Sequence, residues 1–171
     1  MASADFQLRA YCYIDRMQPQ YAGFRGTVTQ GDLATEGMAS LFIEMAPSNE
    51  VFRLVDIAVK ATDAKPGSQL VEREFGMFEI HSHSQESVLS SGAAVLGELG
   101  LLETDRIKPS VASEMIITNV DSYQAQLLNR RRDASMLVPG ETLFVFEVAP
   151  AVYINLAANE AEKRASIKLI Q

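Results

Sequence analysis

The sequence predicts an α+β chain, an α/β sandwich in which antiparallel sheets carry packed helices and one module occurs twice. Three observations predict it. Residues 38–47, MASLFIEMAP, return as residues 141–150, ETLFVFEVAP, at an offset of 103. That offset runs on without a gap: Glu44 meets Glu147, Pro47 meets Pro150, Ala58 meets Ala161 and Lys60 meets Lys163. A second block, residues 14–20, aligns upstream with 120–126 at an offset of 106. Around both blocks, alternating apolar residues give way to helical spacing, the pattern of strands interleaved with helices. The modules divide as 1–103 and 104–171.

Each element has a local reason. Residues 8–15 alternate and are rich in Tyr and Ile, so they read as a strand. Residues 18–25 read as a short helix or turn. Residues 39–46 form a strand that Pro47 closes. Ser48 is placed to cap a helix over 49–63, in which Val51, Leu54, Val55 and Ala58 recur on one face. The repeat transfers that buried face to Ile154, Ala157, Ala158 and Ala161. Lys65-Pro66-Gly67 reads as a turn. Residues 69–75 and 77–82 read as strands joined near Gly76. Ser84 caps a helix over 85–99 whose apolar positions are Val88, Gly92, Val95, Leu96 and Leu99. The second copy supplies strands at 107–120 and 142–149, helices at 122–131 and 151–165, and a strand at 167–170. A strand ending there leaves an open edge, so the expectation is a truncated second copy or an edge completed by a neighbouring subunit.

Composition excludes several classes. With 171 residues, 47% hydrophobic and 22% charged, the chain can bury a core and is not disordered. No apolar run approaches the roughly 18 residues a membrane span needs. The N-terminal MASADFQLR has no apolar core of a secretory leader. A single cysteine, Cys12, cannot form an internal disulfide, which fits a reducing cytoplasm. The net charge is −7, and residues 1–103 hold 7 Lys and Arg against 14 Asp and Glu, so nucleic acid is not an expected partner.

No group of residues converges on catalysis. There is no P-loop, dinucleotide fingerprint, nucleophile elbow or HExxH. His81 and His83 share a spacing that points both to one face of a strand; they read as an exposed strand face or as two ligands of a metal that lacks a third, and no metal or cofactor is expected. Cys12 reads as a structural thiol. Glu72-Arg73-Glu74 stands between two strands, either as a solvated hairpin tip or as a loop converging with its own copies on a symmetry axis. Arg130, Arg131 and Arg132 end a helix, where the dipole favours cations. Lys60 and Lys163 end equivalent helices, where dipole complementarity or a reach to a neighbour explains them.

These features resemble the bacterial microcompartment shell domain. Asp56-Ile57-Ala58-Val59-Lys60-Ala61 looks like that family's D-x-x-x-K-A signature. Leu70-Val71, the charges after it and Gly76-Met77 look like its strand, pore loop and next strand. Residues 108–111 through 119–121 look like the opening of a second module. YIDRMQPQ, VEREFG, VPGETLFVFEVAP and NEAEK make the chain similar to the fused, circularly permuted tandem subclass, in particular that of the Rhodococcus and Mycobacterium microcompartment. The resemblance implies ferredoxin-like modules, permuted, the second lacking its last strand and helix. It implies homotrimers that pass for hexamers and tile, with other shell proteins, into a shell around enzymes in the cytoplasm. Glu72, Arg73, Glu74, Phe75 and Gly76 match the pore loop, through which small polar metabolites would pass. Asp56, Lys60 and Lys163 match helix positions at subunit or tile interfaces, with Asn159 in the second copy where Asp56 stands in the first. A family member is expected to continue past Gln171 with a second pore loop, strand and helix.

Two other readings compete. One is an oligomeric small-molecule-binding regulatory protein of ferredoxin-like modules, which would bind one ligand saturably and form no sheets. The other is a small enzyme with a site between subunits, for which no catalytic group speaks. Fold alone does not choose among them, since function resides in sites.

Overall fold

A computed structural model describes residues 6–131 and 133–170. The order is β1 (Gln7–Ile14), α1 (Pro19–Val28), β2 (Ala39–Ala46), α2 (Glu50–Ala61), β3 (Lys65–Val71), β4 (Gly76–Ser82) and α3 (Gln85–Leu99). A one-turn 3-10 helix (Glu103–Asp105) leads to β5 (Ser110–Ile117), α4 (Ser122–Asn129), β6 (Leu143–Ala149) and α5 (Tyr153–Arg164). The first sheet is antiparallel in the order β1-β2-β4-β3, and β5 pairs with β6 in a second antiparallel sheet.

The first sheet is covered on both faces. A register shift between Leu8 and Ala10 changes the parity of β1. It lets Leu8 and Tyr11 join Leu41, Ile43, Phe78 and Ile80 against Val51, Leu54 and Ala58 of α2 and Val88 and Val95 of α3. Ala10, Cys12, Ile14 and Phe42 face the opposite way, toward Tyr21 and Ala22 of α1 and Val152 and Tyr153 at the start of α5. Fully burying each large side chain here stabilises by about 1.5–3 kcal/mol. Gly92 permits the close approach of α3, since a Cβ there would collide with the Tyr11 hydroxyl and the Leu41 side chain.

The repeat is structural, and a single offset of 103 governs all of it. Gln7 lies opposite Ala46 and Ser110 opposite Ala149; the shift between Leu8 and Ala10 recurs between Val111 and Ser113. Gly37 and Gly140 both hold left-handed φ, 87° and 89°. Their amides donate to the carbonyls of Met17 and Val120, at 3.0 and 2.9 Å. Residues 14–20 therefore correspond to 117–123, not to 120–126 as the second sequence block implies.

Four local expectations need correction. Asn49, not Ser48, occupies the N-cap of α2, and its side chain makes no capping bond. Lys65-Pro66-Gly67 is not a turn but the start of β3, an edge strand that tolerates Pro and takes up Gly67 at a register shift between Pro66 and Ser68. Residues 167–170 form no strand; Leu169 instead packs on the α1 side of the first sheet and accepts the Ser135 amide at 2.8 Å. Ile154 and Ala161 of α5 are exposed while Tyr153, Asn155 and Asn159 are buried, because α5 turns its other side onto β1 and α1.

Candidate functional site

The β3–β4 loop is anchored at its base and free at its tip. Glu72, Arg73 and Glu74 are exposed and Phe75 is half-buried. The Glu72 amide closes the turn onto the Phe75 carbonyl at 2.8 Å. Gly76 is buried against Ser48, where a Cβ would collide with the Ser48 carbonyl. The Arg9 guanidinium lies 5.6 Å from the centre of the Phe75 ring, a cation–π contact. Arg9 Nε in turn donates to Glu44 Oε1 at 2.7 Å. Glu44 is wholly buried, and its other oxygen accepts the Val152 amide at 3.1 Å. One chain of contacts thus runs from the loop to the start of α5.

The second site is the junction that α5 makes with the first repeat. Asn159 accepts the Gln18 amide at 2.8 Å and donates to the Arg16 carbonyl at 3.1 Å. Glu162 accepts the amides of Gln20 and Tyr21, both at 2.9 Å, so its carboxylate caps α1. Asn155 Oδ1 accepts the Tyr21 hydroxyl at 2.9 Å. Lys163 bridges Asp15 at 2.8 Å and Glu160 at 2.7 Å.

The expected interface residues occupy different surroundings. Asp56 and Lys60 pair with each other on the open side of α2. Lys163 lies at the junction inside the chain, and Asn159, the counterpart of Asp56, is buried there. The structure thus puts Asn155 and Glu162 at the junction as well. Their polarity is the sequence signal, and transferring the apolar α2 face onto α5 hides it.

His81 does not lie on an exposed face. Its side chain is buried between Glu79 and Asp32, while His83 stands beyond the end of β4 and is exposed. Among the described residues no group of three or more His, Cys, Asp or Glu is placed to hold a metal ion. Cys12 is buried, and burial pushes its thiol up to about 12. Arg130 caps the end of α4 and Arg131 pairs with Asp133 at 2.9 Å; Arg132 lies outside the described residues. No helix among the described residues is long and apolar enough to cross a membrane.

Comparison with known proteins fits this geometry. The family model described as the CsoS1D N-terminal domain matches residues 8–105. The carboxysome shell protein CcmP of Synechococcus elongatus is 50% identical over 165 residues, covering 96% of this chain and 78% of the relative. The chain belongs to the CsoS1D family of tandem microcompartment shell proteins. The carboxysome shell protein CsoS1D of Hydrogenovibrio crunogenus is 43% identical over 166 residues, 96% of this chain and 81% of that one. Among solved structures, the fused permuted hexameric shell protein of the RMM microcompartment superimposes with a TM-score of 0.92 at 40% identity, over 96% of this chain and 81% of the other. The double-ringed trimeric shell protein of the same microcompartment gives 0.86 at 38% identity, over 92% and 76%. For this shell protein the fused permuted architecture expected from the sequence is therefore shown.

Proposed function

We propose that this chain is a structural tile of a microcompartment shell, a homotrimer of two-module chains whose β3–β4 loops surround a metabolite pore. One observation supports the assembly above all others. The second module docks on the first through α5, and the same operation applied once more calls for a second copy. The counterpart of the docked face is the open side of α2, where Phe52 is 56% exposed beside Asp56 and Lys60. The counterpart of the surface it would cover is equally bare: Met115 and Val145 stand where Cys12 and Phe42 stand in the first module, yet are 56% and 41% exposed. Tyr123, which corresponds to Gln20, is 80% exposed. Two complementary, unfilled faces related head to tail generate a ring when the rotation closes. Three chains supply six modules, divided as 1–103 and 104–171.

In this ring Asp56 and Lys60 face the neighbouring copy as Asn159 and Lys163 face the first module. Glu72, Arg73, Glu74, Phe75 and Gly76 form the pore loop. Exposed charge at a narrow opening selects for polar metabolites over apolar ones. The chain then supplies architecture and passage rather than catalysis, with other shell proteins and enclosed enzymes as its partners. The regulatory ligand-binding reading has less support, since the groove of about 520 Å³ between α4 and Met136–Pro139 is open and lined largely by apolar side chains.

Light scattering on a sizing column tests the assembly. The expected mass is close to three times the 18.8 kDa chain, or multiples of it. Phe52→Glu and Met115→Glu should each yield monomers with unchanged circular dichroism. A wild-type chain that stays monomeric at high concentration overturns the ring. For the pore, Arg73→Ala with Glu74→Ala should alter metabolite passage through intact shells; unchanged passage removes the pore-loop assignment.

A further inference from the structure

Beneath α1, the first module buries a polar network. Arg25, Ser40, Glu79 and His81 are all buried. Ser40 Oγ donates to Glu79 Oε1 at 2.6 Å, and His81 Nδ1 lies 3.1 Å from the same oxygen. His81 Nε2 lies 3.1 Å from Asp32 Oδ2. Arg25 sits 3.9 Å from Glu79, bonds to Ser68 and stacks 5.2 Å over Phe42. Asp32 belongs to the segment 29–37, which lies along the start of β3: the Gln30 and Gly31 amides donate to the Gly67 carbonyl at 3.2 and 2.8 Å, and the Asp32 amide to Pro66 at 2.9 Å.

At an offset of 103, Arg25, Asp32 and Ser40 become Leu128, Ser135 and Leu143. Leu128 and Leu143 pack there with Val120, Ala125 and Leu137. The positions of Arg25 and Ser40 thus take an apolar filling in the second copy. Buried ion networks are seldom more stable than such a filling, so stability alone does not explain this one.

We propose that His81 is a pH-operated latch: its protonated ring ties Asp32, and with it the segment 29–37, to the buried Glu79, and loss of the proton releases the segment. With the ring protonated, Arg25 and His81 balance Glu79 and Asp32. With the ring neutral, one negative charge is left over. Asp32, about half exposed, is the carboxylate that can move into water. The other charged group opposite the ring is Lys65 on β3, which is exposed; β2 contributes the uncharged Ser40. Burial by itself pulls the ring's affinity for a proton down, but the bonds to Glu79 and Asp32 outweigh it and hold His81 above its ordinary value of 6.5. A raised folded-state value means the latch is fully closed below 6.5 and opens as pH rises through the folded-state value.

The chain has two histidines, so His83→Gln leaves His81 as the one imidazole in an NMR titration. His81 should titrate above 6.5. Hydrogen exchange of the Gln30, Gly31 and Asp32 amides, corrected for intrinsic rate, should quicken about threefold or more between about pH 5 and 8. In Asp32→Asn, a change at a part-exposed position that leaves the core intact, that pH dependence should vanish and His81 should titrate lower. Constant protection across the range, or a His81 that titrates below 6.5, overturns the latch.

Discussion

Glu162 on α5 accepts the backbone amide of Gln20 on α1 at 2.9 Å across 142 residues of sequence. A side chain of the second module thereby caps a helix of the first. The α1 N-cap residue, Gln18, makes no capping bond of its own, so the helix depends on this remote carboxylate and on Asn159.

Glu162→Ala should therefore cost about 1 kcal/mol, the usual worth of a helix cap, in chemical denaturation. The amides of Gln20 and Tyr21 should lose exchange protection while those of α2 keep theirs. Equal loss in both helices would show that the carboxylate does not act as a cap.

Arg9→Met should free the β3–β4 loop. It removes the cation over Phe75 and leaves the buried Glu44, among the described residues, with the Val152 amide. Stripping a buried carboxylate of a charged partner costs about 1–3 kcal/mol or more, measurable as a lower denaturation midpoint. A spin label at Glu74 should gain mobility in the same variant; unchanged mobility would mean that Arg9 does not position the loop.

Two glycines should respond in opposite directions. Gly76→Ala forces a methyl group onto the Ser48 backbone, and overpacking of that kind costs about 1–3 kcal/mol. Gly97→Ala lies on the exposed side of α3 with nothing within 4 Å, and should stabilise by up to about 1 kcal/mol. Thermal melts of the two variants decide both.

Cys12 should resist alkylation at mildly alkaline pH until the protein unfolds. Its thiol is buried and its ionisation is pushed to about 12, so the reactive thiolate is scarce. Mass spectrometry after iodoacetamide should show no adduct on the native chain and one on the denatured chain. Rapid native labelling would contradict the packing around β1.

Much of the architecture was legible in the sequence. The strand over residues 39–46 and the helix over 85–99 with its Ser84 cap stand where alternation, helical spacing and a capping residue place them. Glu72, Arg73 and Glu74 are likewise exposed between two strands. These signals are local, and local backbone physics suffices to read them. The misreadings were of another kind. Lys65-Pro66-Gly67 has the composition of a turn, yet an edge position and a bulge make it strand. Residues 167–170 have the composition of a strand but find no partner strand.

The sequence by itself determined that one module occurs twice, with a strand, a helix, a second strand and a second helix in each copy. Only the tertiary structure decided that the two copies use these helices differently. Ile154 and Ala161 repeat the apolar spacing of Val51 and Ala58, but α5 buries Asn155 and Asn159 instead. Periodicity records which residues share a helix face. Which face is buried depends on the surface it meets, and the start of α1 offers α5 unpaired amides and carbonyls that polar side chains alone can satisfy.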